Sequence, residues 1–406
     1  MEEWIPEIAE KAKIVASKGV CDRCLGRMFG KMGTGMTNDV RGKMIRGFLE
    51  ESGEKYETAS PCPMCDDSFD MLGRFADAVA DAVNGVESDN FLVGSRVDPE
   101  LLRKEKELVE EAELENSESI KTEFNREIGK LALPMIHRPV EFKNPQVVAC
   151  IDTRFADVSL DIAPTFIYGR YNKLSREIPQ TIWPCRMCHG KGCPRCNETG
   201  KMYQTSVQEI IGDIALKMSS GDEHFFHGMG REDIDALCLG EGRPFVLEIS
   251  SPRIRNIDLD ELEKKANGSE LAQFHYLRFV DRSEVQKTKM ASPTKTYRVK
   301  VKAESKVNKE DVTNVALSFR EVCLDQRTPQ RVEHRRADLV RKRVVHWVKA
   351  DNIGDDTFEL TLETESGTYV KEFVSGDEGR TKPSFSEALG IQCKVEELDV
   401  IAINDQ

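Results

Sequence analysis

Apolar positions recur along this chain with two alternating periods, and they predict its elements. Ile5, Ile8, Ala12 and Val15 fall near helical spacing, so the chain is expected to open on an amphipathic helix. Residues Thr37 to Glu51 read as a second helix. Phe91 to Val97 is a short apolar strand. Asp98 and Pro99 follow it as the N-cap and first position of another helix. Ile120, Phe124, Ile128 and Leu131 define one more helical face. Gln146 to Ile151 reads as a buried strand, and Leu160, Ile162, Phe166 and Tyr168 alternate as the next. Beyond residue 200, Ser206 and Glu209 form a capping box that opens a helix running to about Met218. Phe245 to Ile249 is an apolar strand, and Asp258 to Lys265 a helix. Thr296 to Ala303 alternates with Tyr297, Val299, Val301 and Ala303 on one face. Phe358 to Thr364 and Thr368 to Val374 read as a hairpin turning at Glu365-Ser366-Gly367. Helices and strands mix without a βαβ rhythm. The expected class is α+β, on a mixed, largely antiparallel sheet.

A chain of 406 residues is too long for one ordinary core, so several domains are expected. No stretch approaches the ~20 apolar residues of a membrane helix. The acidic N-terminus does not read as a secretory signal, so a cytoplasmic protein with no membrane partner is expected. Eight of the twelve cysteines form four Cys-x-x-Cys pairs. Without an export signal, such pairs read as metal ligands rather than disulfides. Cys21, Cys24, Cys62 and Cys65 are expected to hold a structural zinc, because four thiolates leave no open coordination position. Cys185, Cys188, Cys193 and Cys196 are expected to hold a second zinc, with Gly190, Gly192 and Gly200 supplying the turns. Spacing alone leaves an iron–sulfur cluster, or reduced surface thiols, as alternatives there. Cys150, Cys238, Cys323 and Cys393 stand alone and read as core residues.

The net charge of −13 argues against a nucleic-acid partner only until its distribution is considered. Between Arg327 and Lys349 there are eight Lys or Arg and two acids, interleaved with Val332, Val344, Val345 and Trp347. A strand or ribbon with one basic face fits this pattern, and such a face suits a phosphate backbone. The most informative stretch is Gly228-Met-Gly-Arg-Glu-Asp-Ile-Asp235, followed by Gly240-Glu-Gly-Arg-Pro-Phe245. Its glycines allow tight turns and close approach to a ligand, and its aspartates could serve as nucleophile or base.

Element order between residues 71 and 180, ending in the basic loop Gly169 to Arg176, resembles a THUMP domain, an RNA-binding module of tRNA-modifying enzymes. The strings Gly230-Arg-Glu-Asp-Ile-Asp235, Gly242-Arg-Pro-Phe245, Lys295-Thr-Tyr297, Arg327 to Arg336, Gly367-Thr-Tyr-Val-Lys-Glu-Phe-Val374 and Gly376 to Pro383 resemble the archaeal and eukaryotic tRNA pseudouridine-54/55 synthase family. Ala236-Leu237-Cys238 departs from the arginine-containing version of that family's loop. The resemblance implies three regions: a zinc-binding module over 1–70, a THUMP-like RNA-binding domain over 71–180, and a catalytic domain over 181–406 carrying the cysteine knuckle at 185–196.

It also implies the chemistry. Uridine becomes pseudouridine when the bond from N1 to the ribose breaks, the uracil turns, and it rejoins through C5. No organic cofactor is needed. The family pattern makes Asp233 the catalytic nucleophile, with Asp235 its nearest competitor, and makes Lys371 the cation that keeps the carboxylate ionised. Tyr297 is expected to stack on the flipped base, and Tyr369 to line the same pocket. Arg327, Arg331, Arg335, Arg336, Arg341 and Arg343 are expected to grip tRNA phosphates. A monomer acting on tRNA is expected. Two rivals remain at this level. A zinc deaminase would need His-x-Glu, and none of the seven histidines has Glu two residues later. A non-catalytic zinc-containing tRNA-binding protein would carry the same cysteines and leave Asp233 a loop residue.

Overall fold

A computed structural model describes residues 3–404, with the side chain of Arg335 outside the described residues. The chain forms two compact units that meet in sequence between Ala163 and Pro164.

The first unit opens with helices α1 (Ala9–Ser17), α2 (Asp22–Arg27) and α3 (Asn38–Glu51). It continues through α4 (Leu72–Asn84), β1 (Leu92–Arg96), α5 (Pro99–Glu111), α6 (Ile120–Ile136), β2 (Val147–Asp152) and β3 (Asp157–Ile162). The strands order β1-β2-β3, the first pair parallel and the second antiparallel. Asp98 caps α5 through the Glu100 N–H, with Pro99 at its first position, as the sequence predicts. Helix α6 buries Ile120, Phe124, Ile128, Ala132 and Ile136. That four-residue stride leaves Leu131, expected on the buried face, exposed, and Ala132 takes its place. One apolar core joins α1 to β3 and includes Cys24, Cys62 and Cys65.

The second unit contains β4 (Thr165–Lys173), α7 (Val207–Ser219), β5 (His224–Gly228), β6 (Leu237–Ile249), α8 (Leu259–Ala266), β7 (Ala272–Val280) and α9 (Ser283–Met290). Then come β8 (Thr294–Ala303), α10 (Lys309–Ser318), β9 (Val322–Arg327), β10 (Val340–Asp351) and β11 (Thr357–Thr364). The unit closes with α11 (Val370–Ser375), β12 (Thr381–Lys382), α12 (Phe385–Leu389) and β13 (Cys393–Asn404). Its sheet orders β12-β9-β10-β11-β8-β13-β6-β4-β7, with β5 also pairing β6. Only β13 and β6 pair in parallel, so the sheet is mixed and largely antiparallel. One core gathers on β4, β6, α7 and α8, and another on β8, β11, β13 and the C-terminal helices. The loop from Met229 to Ala236 leaves β5 and enters β6 where β6 meets β13.

Three sequence readings change here. The strand expected to run from Leu160 through Tyr168 is two strands: β3 closes the first unit's sheet, and β4 pairs with β6 and β7 in the second. Ala163-Pro164 separates them, and proline cannot donate to a ladder. The second arm of the expected hairpin is helix α11. Val370, Phe373 and Val374 are all buried, a three-and-four spacing that suits a helix, and Phe373 packs edge-on to Phe319 at 4.9 Å. Of the four lone cysteines, Cys238 and Cys393 are buried and Cys150 half-buried, but Cys323 is exposed on β9.

Candidate active site

Asp233 lies in a cleft of the second unit, whose wall includes Glu232, Arg243, Lys295, Tyr297, Arg331, Arg336, Tyr369, Lys371 and Leu398. The loop that presents it is held from beneath. Its next neighbour, Glu232, turns inward and ion-pairs with Arg243 of β6 at 2.9 Å, each side chain only 1% exposed. Tyr171 Oη of β4 donates to the same carboxylate at 2.9 Å. Arg243 Nη1 donates to Met229 O at 2.8 Å, and Gln180 donates to Gly230 O at 3.0 Å. On the far side of the loop, buried Lys173 donates to Ile234 O at 2.6 Å, and Arg176 to Asp235 O at 2.8 Å. Tyr171, Lys173 and Arg243 come from two neighbouring strands, so the sheet itself fixes the loop. Gly230 adopts φ +76°, a conformation glycine takes without strain.

With its backbone so fixed, Asp233 keeps its side chain 36% exposed toward the cleft. Two cations meet it there: Arg331 Nη1 at 3.2 Å and Lys371 Nζ at 3.6 Å from Oδ2. Arg331 is held by Glu372 Oε1 at 2.6 Å. Lys371 stands on helix α11 rather than on a strand, and it also binds Asp235 Oδ2 at 2.9 Å. Burial raises the Asp235 pKa, but the hydrogen bonds and charge of Lys371, with a backbone hydrogen bond and the charge of Arg331, together outweigh it and hold the carboxyl below its ordinary value. Asp235 is the more exposed of the two aspartates. Tyr297 sits on β8 with its ring in the cleft wall, and burial pushes its phenol up to about 12. Tyr369 accepts a hydrogen bond at Oη from Arg336 at 3.1 Å.

The structure thus brings Asp233, Asp235, Tyr297, Tyr369, Lys371, Arg331 and Arg336 together. The expected single basic ribbon is divided. Arg327 ends β9 and pairs with Asp338. Residues Gln330–Arg335 form a 3-10 turn that carries Arg331 into the cleft. Arg341 and Arg343 lie on β10, where Arg341 donates to Thr328 Oγ1 at 2.9 Å and Arg343 to Lys342 O at 2.7 Å. The Arg335 side chain lies outside the described residues. Sequence reasoning missed Glu232, Arg243, Lys173 and Lys295. For Lys295 a signal existed: it shares a strand face with Tyr297, two residues on.

Each cysteine cluster closes on itself within its own unit. Cys21, Cys24, Cys62 and Cys65 have all Sγ atoms within 4.8 Å of one another, as do Cys185, Cys188, Cys193 and Cys196. Sulfur separations are 3.9 Å for Cys21–Cys65, 3.9 Å for Cys185–Cys193 and 3.8 Å for Cys188–Cys196. Four thiolates about 2.3 Å from a tetrahedral ion would lie about 3.8 Å apart, so both donor sets fit such an ion. Backbone N–H groups of Cys21, Cys193 and Gly200 point at sulfurs, at 3.2–3.3 Å. Gly200 is required by close approach, because a Cβ there would meet Gly190 O at 2.3 Å.

Residues 166–404 match the family described as "Pus10, C-terminal", and residues 75–152 match "Pus10 THUMP domain, archaeal". The chain is 38% identical to the tRNA pseudouridine synthase Pus10 of Methanothrix thermoacetophila, over 98% of this chain and 94% of that one. It is 40% identical to the protein of that name from Methanothermobacter marburgensis, over 96% of each chain. A solved Cbf5-Nop10-Gar1 complex aligns at 16% identity over 49% of this chain and 46% of that one, with a TM-score of 0.30. Among the described residues no helix is long and apolar enough to cross a membrane. Matched over both units and to relatives along nearly their whole lengths, the chain belongs to the Pus10 family of pseudouridine synthases and is an isomerase.

Proposed function

We propose that this enzyme isomerises uridine to pseudouridine in tRNA, at positions 54 and 55 of the TΨC arm, with Asp233 as the nucleophile. The observation that carries the reading is the setting of Asp233. It is the carboxylate that a buried ion pair presents to a cleft walled in part by aromatic rings, where two cations meet it. Arg331 and Lys371 favour its ionised form, which is the form that attacks carbon or takes a proton. Tyr297 offers the ring against which a flipped base would rest. Arg336 and Tyr369 form the rim. Arg327, Arg341 and Arg343 extend a basic surface suited to the RNA backbone, and the THUMP-like domain would hold the acceptor stem. Zinc in both tetra-cysteine sites would brace the fold, with Cys21, Cys24, Cys62 and Cys65 holding one ion and Cys185, Cys188, Cys193 and Cys196 the other. Neither would touch the reaction, because four thiolates leave no open position. The enzyme is proposed to act as a cytoplasmic monomer.

The test is a tRNA transcript tritiated at C5 of uridine, whose label is released when pseudouridine forms. Wild-type protein should release label, and chemical mapping should place pseudouridine at positions 54 and 55. Asp233→Asn should release none while binding tRNA with a Kd close to wild type. Product at other positions rejects the site assignment, and full activity in Asp233→Asn moves the nucleophile to Asp235.

A further inference from the structure

Among the described residues, the cations that hold or face the Asp233 loop are matched to strong acceptors, with one exception. Arg243 has Glu232, Arg331 has Glu372 and Asp233, and Lys173 has two carbonyl oxygens. Lys295 is only 7% exposed, yet it makes no ion pair among the described residues. Its one hydrogen-bonding partner there is Ser366 Oγ, at the long distance of 3.5 Å. An ammonium carries three donors and no acceptor. Taking it out of water unpaired costs several kcal/mol, and such a group points to a ligand that completes its shell.

Its position says which ligand. β8 places Lys295 and Tyr297 on one face, and both line the cleft that holds Asp233. Gly230 of the Asp233 loop passes so close that a Cβ there would lie 3.1 Å from Lys295 Nζ. The ammonium therefore sits deep, beside the ring and the loop, while Arg336 sits at the rim on Tyr369. Phosphates of a flipped nucleotide stay with the backbone, and its base enters the pocket. The acceptors that a uracil carries inward are O2 and O4.

We propose that Lys295 Nζ donates a hydrogen bond to a carbonyl oxygen of the flipped uracil and stabilises the negative charge the ring acquires when the N1–C1′ bond breaks. The inference rests on the reading of the Asp233 cleft as the site of uridine isomerisation. In that step Asp233 bonds to C1′ as the N1–C1′ bond breaks, and the electron pair of the broken bond stays on the uracil, spread over O2 and O4. C5 then bonds to C1′ with that pair while the Asp233–C1′ bond breaks and its pair returns to the carboxylate; C5 gives its proton to that carboxylate and N1 takes one from water, so nothing is gained or lost overall. Lys295 keeps its own proton throughout and acts as an oxyanion-hole donor. Burial first, and then Arg243, lower the Lys295 pKa to about 8, against the opposing pull of Glu232 and Cys238. The group is thus still charged at neutral pH and loses its charge just above it.

The experiment measures single-turnover pseudouridine formation on tritiated tRNA across pH 6–9.5 for wild type, Lys295→Met and Lys295→Gln, together with tRNA Kd. Wild-type kcat/KM should fall above pH about 8. Lys295→Met should be slower by about 10²–10³-fold at pH 7 with Kd within threefold of wild type, the loss expected of one oxyanion donor. Lys295→Gln keeps a neutral donor, so it should recover part of that rate and show no fall near pH 8. A Lys295→Met rate within threefold of wild type overturns the inference. So does an alkaline limb unchanged in Lys295→Gln, which is what a merely structural lysine would leave. Should Lys295→Met fail to fold, the wild-type profile decides: flat kcat/KM to pH 9.5 overturns the role. Wild type that forms no pseudouridine rejects the underlying reading, and the Lys295 role with it.

Discussion

Replacing Glu232 by glutamine should destabilise the second unit more than any surface change, although Glu232 touches no proposed substrate atom. The substitution keeps the shape of the side chain and removes its charge. Arg243 then remains 1% exposed with neutral acceptors alone, the Met229 carbonyl at 2.8 Å and the new amide oxygen, and no countercharge. Removing one partner of a buried pair costs about 3–5 kcal/mol, because the other charge stays buried and uncompensated. The unit runs from Pro164 to Gln406, a size at which each kcal/mol moves the melting midpoint by about 2–4 °C. The expected fall in Tm is roughly 6–20 °C. Thermal and urea unfolding would measure it, the urea slope staying constant if the unfolded state is unchanged. A double variant, Glu232→Gln with Arg243→Met, should recover stability relative to the sum of the single losses, since neither member of the pair is then left as a buried charge without its partner. Pseudouridine formation should fall in Glu232→Gln even below its melting temperature, because the ion pair anchors the residue next to Asp233. A Tm change under about 3 °C, or a double variant that costs the full sum, would refute the claim that this pair fixes the loop.

Three further outcomes are expected. Cys65→Ser should lower metal content from about two zinc ions per chain to about one and reduce thermal stability, read by metal analysis and melting; unchanged content would exclude Cys65 as a ligand. Tyr297→Leu should slow single turnover at least tenfold while changing tRNA Kd little, because one stacked base is worth about 1–3 kcal/mol against many phosphate contacts; lost binding with normal turnover would make Tyr297 a structural residue. Lys295 has a folded-state pKa of about 8, below its ordinary 10.5, so the unfolded chain binds the extra proton between those values. Wild type should therefore gain stability relative to Lys295→Met as pH rises from about 8 to 10.5, and a constant difference would place the ammonium in solvent.

Much of this protein is written locally. Capping at Asp98 and Ser206, the alternation of Tyr297 to Ala303, and the knuckle spacing of the eight paired cysteines each depend on neighbours a few residues away. Such signals survive in a bare sequence because backbone hydrogen bonding and side-chain direction set them before any long-range contact forms. Residue types around Asp233 also mark the proposed catalytic loop, through resemblance rather than through spacing. Other features belong to the folded chain alone. Whether Thr368 to Val374 becomes strand or helix is decided by the Phe319 and β13 packing that buries Phe373 and Val374, and an apolar run this short suits either state. Arg331 reads as one more phosphate-binding arginine until the 3-10 turn sets it between Glu372 and Asp233. Glu232, Tyr171 and Arg243 lie up to 72 positions apart in sequence, and pairing of β4 with β6 brings them into one buried cluster. Their charges are tolerable only because each meets its partner there, a condition that sequence spacing does not express and that the sheet register supplies.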